Sequence, residues 1–244
     1  MSMKATPNDQ RSILDVARFD QQTSLLRHKA STLPELLEIT NTTIKFNNAR
    51  DLRIAAETEL SDVKRELLRA EADVEQVVSR ITRDEARLAG GSASPKELEQ
   101  LQHEVGTLST RRAELEEVEL EIMMRVDAIQ ASIAKLSQEG GELAAVIADL
   151  EIRKENAMAA INTELESIAS DRISTVSGIE KALVELYEKL RGDSGGPGAA
   201  ALVAGACSGC NLSINTVELK RLTDLAEDEV VRCEECRCIL VRGV

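Results

Sequence analysis

The sequence predicts a mainly α protein: a long antiparallel coiled-coil helical hairpin followed by a small β-rich module at the C-terminal end. Three observations carry that expectation. Two long stretches with heptad-spaced apolar residues flank a short segment rich in Gly, Ser and Pro. The only aromatic residues are Phe19, Phe46 and Tyr187, while charged residues reach 30%. All five cysteines fall from residue 207 onward. Paired long helices fill a thin seam with aliphatic side chains and need few aromatics. The same inventory argues against a large core with an enclosed ligand pocket.

The first helix-start signal is Thr6-Pro7-Asn8-Asp9, with a Thr cap, Pro in the first turn and an acid beside it. The helical pattern breaks near residues 31–34, where Pro34 disfavours continuation and Thr32 with Glu35 matches a capping box. From Pro34 to Leu88 neither Pro nor Gly interrupts the chain. Leu60, Val63, Leu67, Ala70, Val74, Val77, Ile81 and Leu88 recur at steps of three and four, with one seam position taken by Asp84.

The hairpin tip is expected near residues 89–95. Gly90-Gly91 ends one helix, and Ser94-Pro95-Lys96-Glu97 starts the next with Ser94 as N-cap and Glu97 closing a capping box. The seam then resumes from Leu98 through Leu150, with Arg112, Glu119 and Gly140 at seam positions. Apolar residues continue through Ile161 and Leu165 to Leu190, with the period shifting by one residue near Leu165. Gly140-Gly141 is expected to bend the helix. Residues 8–88 and 95–175 are equally long, so the arms can cover each other fully. Folding about the midpoint of the tip sets Phe46 opposite roughly residue 137, where its ring could fill the space beside the glycine pair. The hairpin is thus expected over residues 1–190.

Residues 191–206 open with Arg191-Gly192-Asp193-Ser194-Gly195-Gly196-Pro197-Gly198 and are expected as a linker, with the module at 207–244 carried as a mobile unit. In that module Cys207-Ser208-Gly209-Cys210 and Cys233-Glu234-Glu235-Cys236 form a CxxC…CxxC pattern. Each pair can grip one ion from a tight turn, and four thiolates give the closed tetrahedral shell of structural zinc. One Zn²⁺ per chain is therefore expected at Cys207, Cys210, Cys233 and Cys236, with Gly209 easing the first turn. A redox dithiol or an iron centre is the alternative. Residues 212–214, 230–232 and 239–241 are β-prone, and Asn215 to Leu222 opens a helical turn. Cys238 is expected as a free thiol.

Other chemistry is scarce. The net charge of −13 disfavours nucleic acid and anionic membrane. No apolar run reaches transmembrane length and the N-terminal stretch lacks a signal-peptide core, so a soluble cytoplasmic protein without membrane insertion is expected. His28 and His103 are expected on helix surfaces. No phosphate-binding loop, nucleophile elbow or metalloprotease motif occurs, and four thiolates leave a metal no open position, so no enzyme is expected.

The run Ser94-Pro-Lys-Glu-Leu98, continuing through Arg111-Arg112 and Leu115 to Met123, together with Ser31-Thr-Leu-Pro-Glu35 and the two CxxC pairs, resembles the bacterial C4-type zinc-ribbon coiled-coil family. The usual tip of that family reads Asn-Pro-Lys-Glu-Leu; here Ser94 replaces Asn. Its second knuckle is often Cys-Pro-x-Cys-Gly-Arg-Ile-Leu; here Cys233-Glu-Glu-Cys236-Arg-Cys-Ile-Leu240 lacks the Pro and Gly and sets Cys238 at the Arg position. The resemblance implies an antiparallel helical rod with a zinc ribbon at one end. Similar proteins bind protein partners in flagellar or type III secretion pathways, including an alternative sigma factor, and nucleic-acid binding has been proposed for the family. The expected function is a non-enzymatic zinc-binding adaptor or chaperone-like protein acting on protein partners. The alternative is a nucleic-acid-binding or transcription-associated regulator using the ribbon. In the module acids outnumber bases and no aromatic residue offers a base-stacking surface, which favours protein.

Overall fold

The computed structural model describes residues 3–91, 94–194 and 196–243. Four helices come first: α1 (Pro7–Ser31), α2 (Pro34–Ala89), α3 (Pro95–Ser177) and α4 (Lys181–Ser194). Then follow β1 (Ala199–Val203), β2 (Ala206–Cys207), α5 (Thr216–Asp224), β3 (Val231–Arg232) and β4 (Ile239–Val241). The chain is mainly α with a small strand-containing C-terminal region, as the sequence predicts. No described helix is long and apolar enough to cross a membrane.

Local signals place the helix ends. The Asp9 amide donates to Thr6 Oγ1 (3.1 Å), which caps α1. At the tip, the Ser94 amide and hydroxyl each donate to Glu97 Oε2 (2.8 Å), and the Glu97 amide returns a weaker bond to Ser94 Oγ. That is the expected capping box, and the bonds from Ser94 hold the Glu97 carboxyl below its ordinary range. Gly91 takes φ 64, a left-handed conformation open to glycine at no steric cost. The remaining tip positions, 92 and 93, lie outside the described residues. The break after Ser31 is present, but Thr32 does not cap α2. Its hydroxyl donates to the His28 carbonyl (2.8 Å) and so closes the C-terminal end of α1. Both histidines are exposed.

Two units are distinguishable by contact: Leu37–Glu151, and the residues up to Leu36 together with those from Ile152 onward. The first is a pair of antiparallel helical arms. Val63 and Ala70 of α2 pack against Ile122 and Val126 of α3, with Leu60, Leu67 and Ile129 beside them. Seam positions from Leu60 to Leu150 are buried or half-buried, apart from exposed Arg112. Arg80 pairs with Glu104, and Arg125 with Glu66 at 3.1 Å. Folding about the midpoint of the tip sets Arg80 against roughly residue 103, and it pairs with Glu104; Glu66, set against roughly residue 117, reaches Arg125 instead. One cross-arm pair thus follows the midpoint register and the other is displaced from it along the arm. The expectation that the Phe46 ring fills the space beside the glycine pair fails on different ground. A Cβ at Gly140 or Gly141 would meet nothing within 4 Å, and α3 runs on as helix through both.

The second unit departs most from expectation. The apolar period hides a break at Gly178, where α3 stops before α4 begins. The stretch expected as linker holds the end of α4 and all of β1. The sheet order is β2-β1-β4-β3, with β1 parallel to β4 and the other pairs antiparallel. The β1–β2 turn places Ala204 (φ 48) and Gly205 (φ 76) in the left-handed region, as a two-residue hairpin turn requires. Residues 212–214 contribute only an isolated bridge, Ser213 to Ala206.

The ribbon is not carried on a loose tether. Ala199, Ile239 and Val241 share one core with Ile13 and Val16 of α1 and Leu183, Tyr187 and Leu190 of α4. The N-terminal segment joins as well: the Ala5 amide donates to the Asp228 carbonyl (2.8 Å) and the Val230 amide to that of Met3 (2.9 Å). Beside this core Asp20 is buried and accepts from Tyr187 Oη (2.7 Å) and Arg172 (2.9 and 3.1 Å), with Arg191 at 3.2 Å. Burial and that bond to Asp20 push the Tyr187 hydroxyl well above its usual range.

Candidate metal centre

Two similar turns build the site. In the first, the Asn211 amide donates to the Cys207 carbonyl (2.8 Å); in the second, the Arg237 amide donates to that of Cys233 (3.0 Å). Asn211 (φ 57) and Arg237 (φ 61) both take the left-handed conformation that closes such a turn. Asn tolerates it, whereas Arg replaces the glycine of the usual pattern. Gly209 does not have a positive φ; a Cβ there would lie 2.9 Å from Pro197 and 3.0 Å from the Ala200 Cβ. Close packing against β1 and the segment before it is what requires glycine at this position.

The sulfurs of Cys207, Cys210, Cys233 and Cys236 all lie within 4.8 Å of one another. Cys207 is 3.8 Å from Cys236, and Cys210 is 3.9 Å from Cys233. Four sulfurs bound at ~2.3 Å to one tetrahedral ion stand ~3.8 Å apart, so the set fits a single structural zinc. No pair is joined as a disulfide. Burial alone would raise the Cys207 thiol, but the amides of Cys210 and Gly209 and the Cys238 and Cys236 thiols outweigh it and bring it to about 7. Cys233 goes the other way, pushed up to about 12 chiefly by burial.

Cys238 is nearer than its sequence position suggests. It is 1% exposed, and its sulfur is 3.3 Å from that of Cys236 and 3.8 Å from that of Cys207. Burial first, and then the neighbouring thiols, raise its pKa well above the ordinary thiol range. Its offset of two from Cys236 falls outside the two-pair spacing, so only the turn at Arg237 reveals the approach.

Three of the ribbon's arginines, Arg232, Arg237 and Arg242, have different settings. Arg242 donates to the carbonyls of Leu222, Leu225, Ala226 and Glu229, holding the chain between α5 and β3. Arg232 Nε donates to the Arg237 carbonyl (3.1 Å), and both residues are exposed.

Comparison with known proteins agrees with this architecture. Residues 16–195 match the model of the CT398-like coiled coil hairpin domain, and residues 206–240 match that of the C4-type zinc ribbon domain. The chain is 35% identical to uncharacterized protein Rv2229c of Mycobacterium tuberculosis over 98% of each chain. A solved structure from Mycobacterium smegmatis superposes with TM-score 0.86 at 31% identity, covering 99% of this chain and all of that one. CT398 from Chlamydia trachomatis superposes with TM-score 0.66 at 20% identity over 97% of this chain and 98% of its own, a likeness of fold. With the hairpin match spanning most of its length and the cysteine cluster inside the ribbon match, the chain belongs to the CT398-like coiled-coil hairpin family and carries a C4-type zinc ribbon.

Proposed function

We propose that this is a non-enzymatic adaptor or chaperone-like protein of the cytoplasm, binding protein partners, with one structural zinc held by Cys207, Cys210, Cys233 and Cys236. The observation that carries the reading is the set of aliphatic side chains left exposed on the paired helices. Leu120, Met123 and Met124 on α3, and Leu37, Ile44 and Leu52 on α2, face solvent outside the seam. A helix face with large apolar side chains suits a protein partner and gives nothing to a phosphate backbone. The closed cysteine set supports a structural metal over a catalytic one. Free cysteines throughout fit a reducing compartment. Arg242, committed to four carbonyls, is unavailable to nucleic acid, which weakens the alternative.

A photo-crosslinking residue at position 120 or 124, introduced into the full-length protein in cells, tests this. Adducts to discrete proteins that survive nuclease treatment, and fade when the neighbouring Met123 becomes Glu, are expected. Salt-sensitive micromolar binding of labelled DNA or RNA, lost in an Arg232→Ala/Arg237→Ala variant, would establish the nucleic-acid reading instead.

A further inference from the structure

The ribbon contains one sulfur more than a four-coordinate zinc uses. Cys207, Cys236 and Cys238 form a nearly equilateral triangle with sulfur separations of 3.8, 3.8 and 3.3 Å. Its centre lies about 2.1 Å from each sulfur, close to the ~2.3 Å of a zinc–thiolate bond. Cys207 and Cys238 are buried and Cys236 is half-buried. Cys207 is on β2, while Cys236 and Cys238 bracket the left-handed Arg237. The backbone therefore preforms three convergent sulfurs, beside and overlapping the four.

We propose that Cys207, Cys236 and Cys238 are a second, three-thiolate site, which takes the soft ion Cu(I) in exchange for zinc. The inference rests on the zinc reading above. Zinc in a structural site takes four ligands in a tetrahedron, which the triangle cannot supply. Thiolate ligands select Cu(I) by softness, and first-row metals are sorted by ligand type and geometry as much as by affinity. Two sulfurs are common to both sites, so occupation of one empties the other. The exchange moves no electron. Three Cu–S bonds form, four Zn–S bonds break and Zn²⁺ leaves. The Cys238 proton passes to one of the released thiolates of Cys210 and Cys233, and the other takes a proton from solvent.

The test uses the full-length chain in its zinc form, without oxygen. Cu(I) is supplied as its acetonitrile complex against a competing bathocuproine chelator, and released zinc is read with a chromogenic indicator. The native chain is expected to bind one Cu(I) and release one zinc. Cys238→Ser is expected to keep one zinc per chain and to lose Cu(I) affinity at least tenfold. Cys238→Ala serves the same comparison if the serine variant does not fold. Equal Cu(I) affinity in native and variant chains overturns the three-thiolate site. Loss of zinc from a folded Cys238 variant also overturns it, by making Cys238 a zinc ligand. A native chain that carries no zinc at the outset sinks the four-cysteine reading separately, because the Cu(I) comparison can still be made.

Discussion

Arg237 shows how much a single backbone angle matters in a module this small. Its φ of 61 lies where a side chain crowds the following carbonyl, and neither its amide nor its carbonyl is free to relax. The amide closes the second cysteine turn and the carbonyl receives Arg232. Arg237→Gly removes the crowding and keeps both bonds. It is expected to stabilise the zinc form by about 1 kcal/mol, less the added freedom of the unfolded chain. Thermal unfolding of native and variant proteins at equal zinc occupancy measures this. A lower melting temperature in the variant would mean that the guanidinium contributes more than the strain costs.

At the scale of an element, the two ends of the long helices differ in what holds them. The start of α3 depends on an ionised carboxylate. Glu97 is held below its ordinary range in the folded chain, so its cap is fully present above the unfolded-state value of 4.5. That stabilisation is lost as the pH falls through the lowered folded value. Amide exchange at 95–98 is expected to accelerate over that acidic window; Ser94→Ala, which removes the hydroxyl bond and keeps the amide's, should reduce the extra pH dependence, and Glu97→Gln should abolish it. Near the C-terminal end of α2, Asp84 occupies a seam position, buried at 8% exposure, with Oδ2 lacking a hydrogen-bond partner. Its nearest cation, Arg87, is 4.0 Å away. Asp84→Leu replaces a poorly satisfied carboxylate with the apolar residue the heptad calls for. It is expected to stabilise the helical pair by about 1 kcal/mol or more, read from denaturant midpoints. A drop in midpoint would show that the seam has no room for the larger side chain.

For the whole molecule, the telling feature is the core shared by ribbon and helices. A ribbon on a free linker would unfold alone when its metal is removed. Here Ile239 and Val241 pack with Ile13, Val16, Leu183 and Tyr187, and residues 3–5 pair with 228–230. Zinc binding supplies ~10–16 kcal/mol in comparable small modules, more than so few apolar contacts can replace. Chelation is therefore expected to raise hydrogen exchange across 199–241 and also in α1 and α4, while residues 60–126 keep their protection. Change confined to the ribbon would show that the helical base is stable without it.

The sequence by itself determined α1, α2 and the start of α3, the tip, the break before Pro34, the seam and the four clustered cysteines, but not the break between α3 and α4. Each of these is written in short-range terms: a cap and its partner three residues on, an apolar step of three or four, a knuckle of four residues. Tertiary structure decided the rest. Asp20 meets Arg172 across 152 residues, and Lys4 meets Asp228 across 224. Ala199–Val203 becomes a strand because β4 lies parallel beside Ala199–Ala201 and β2 antiparallel beside Leu202 and Val203. Glu66 pairs with Arg125 instead of a residue near the midpoint register, and Cys238 reaches the other sulfurs only through the turn at Arg237. Contacts between residues so far apart leave no local period to read, because a pairing chosen by packing depends on both surfaces at once.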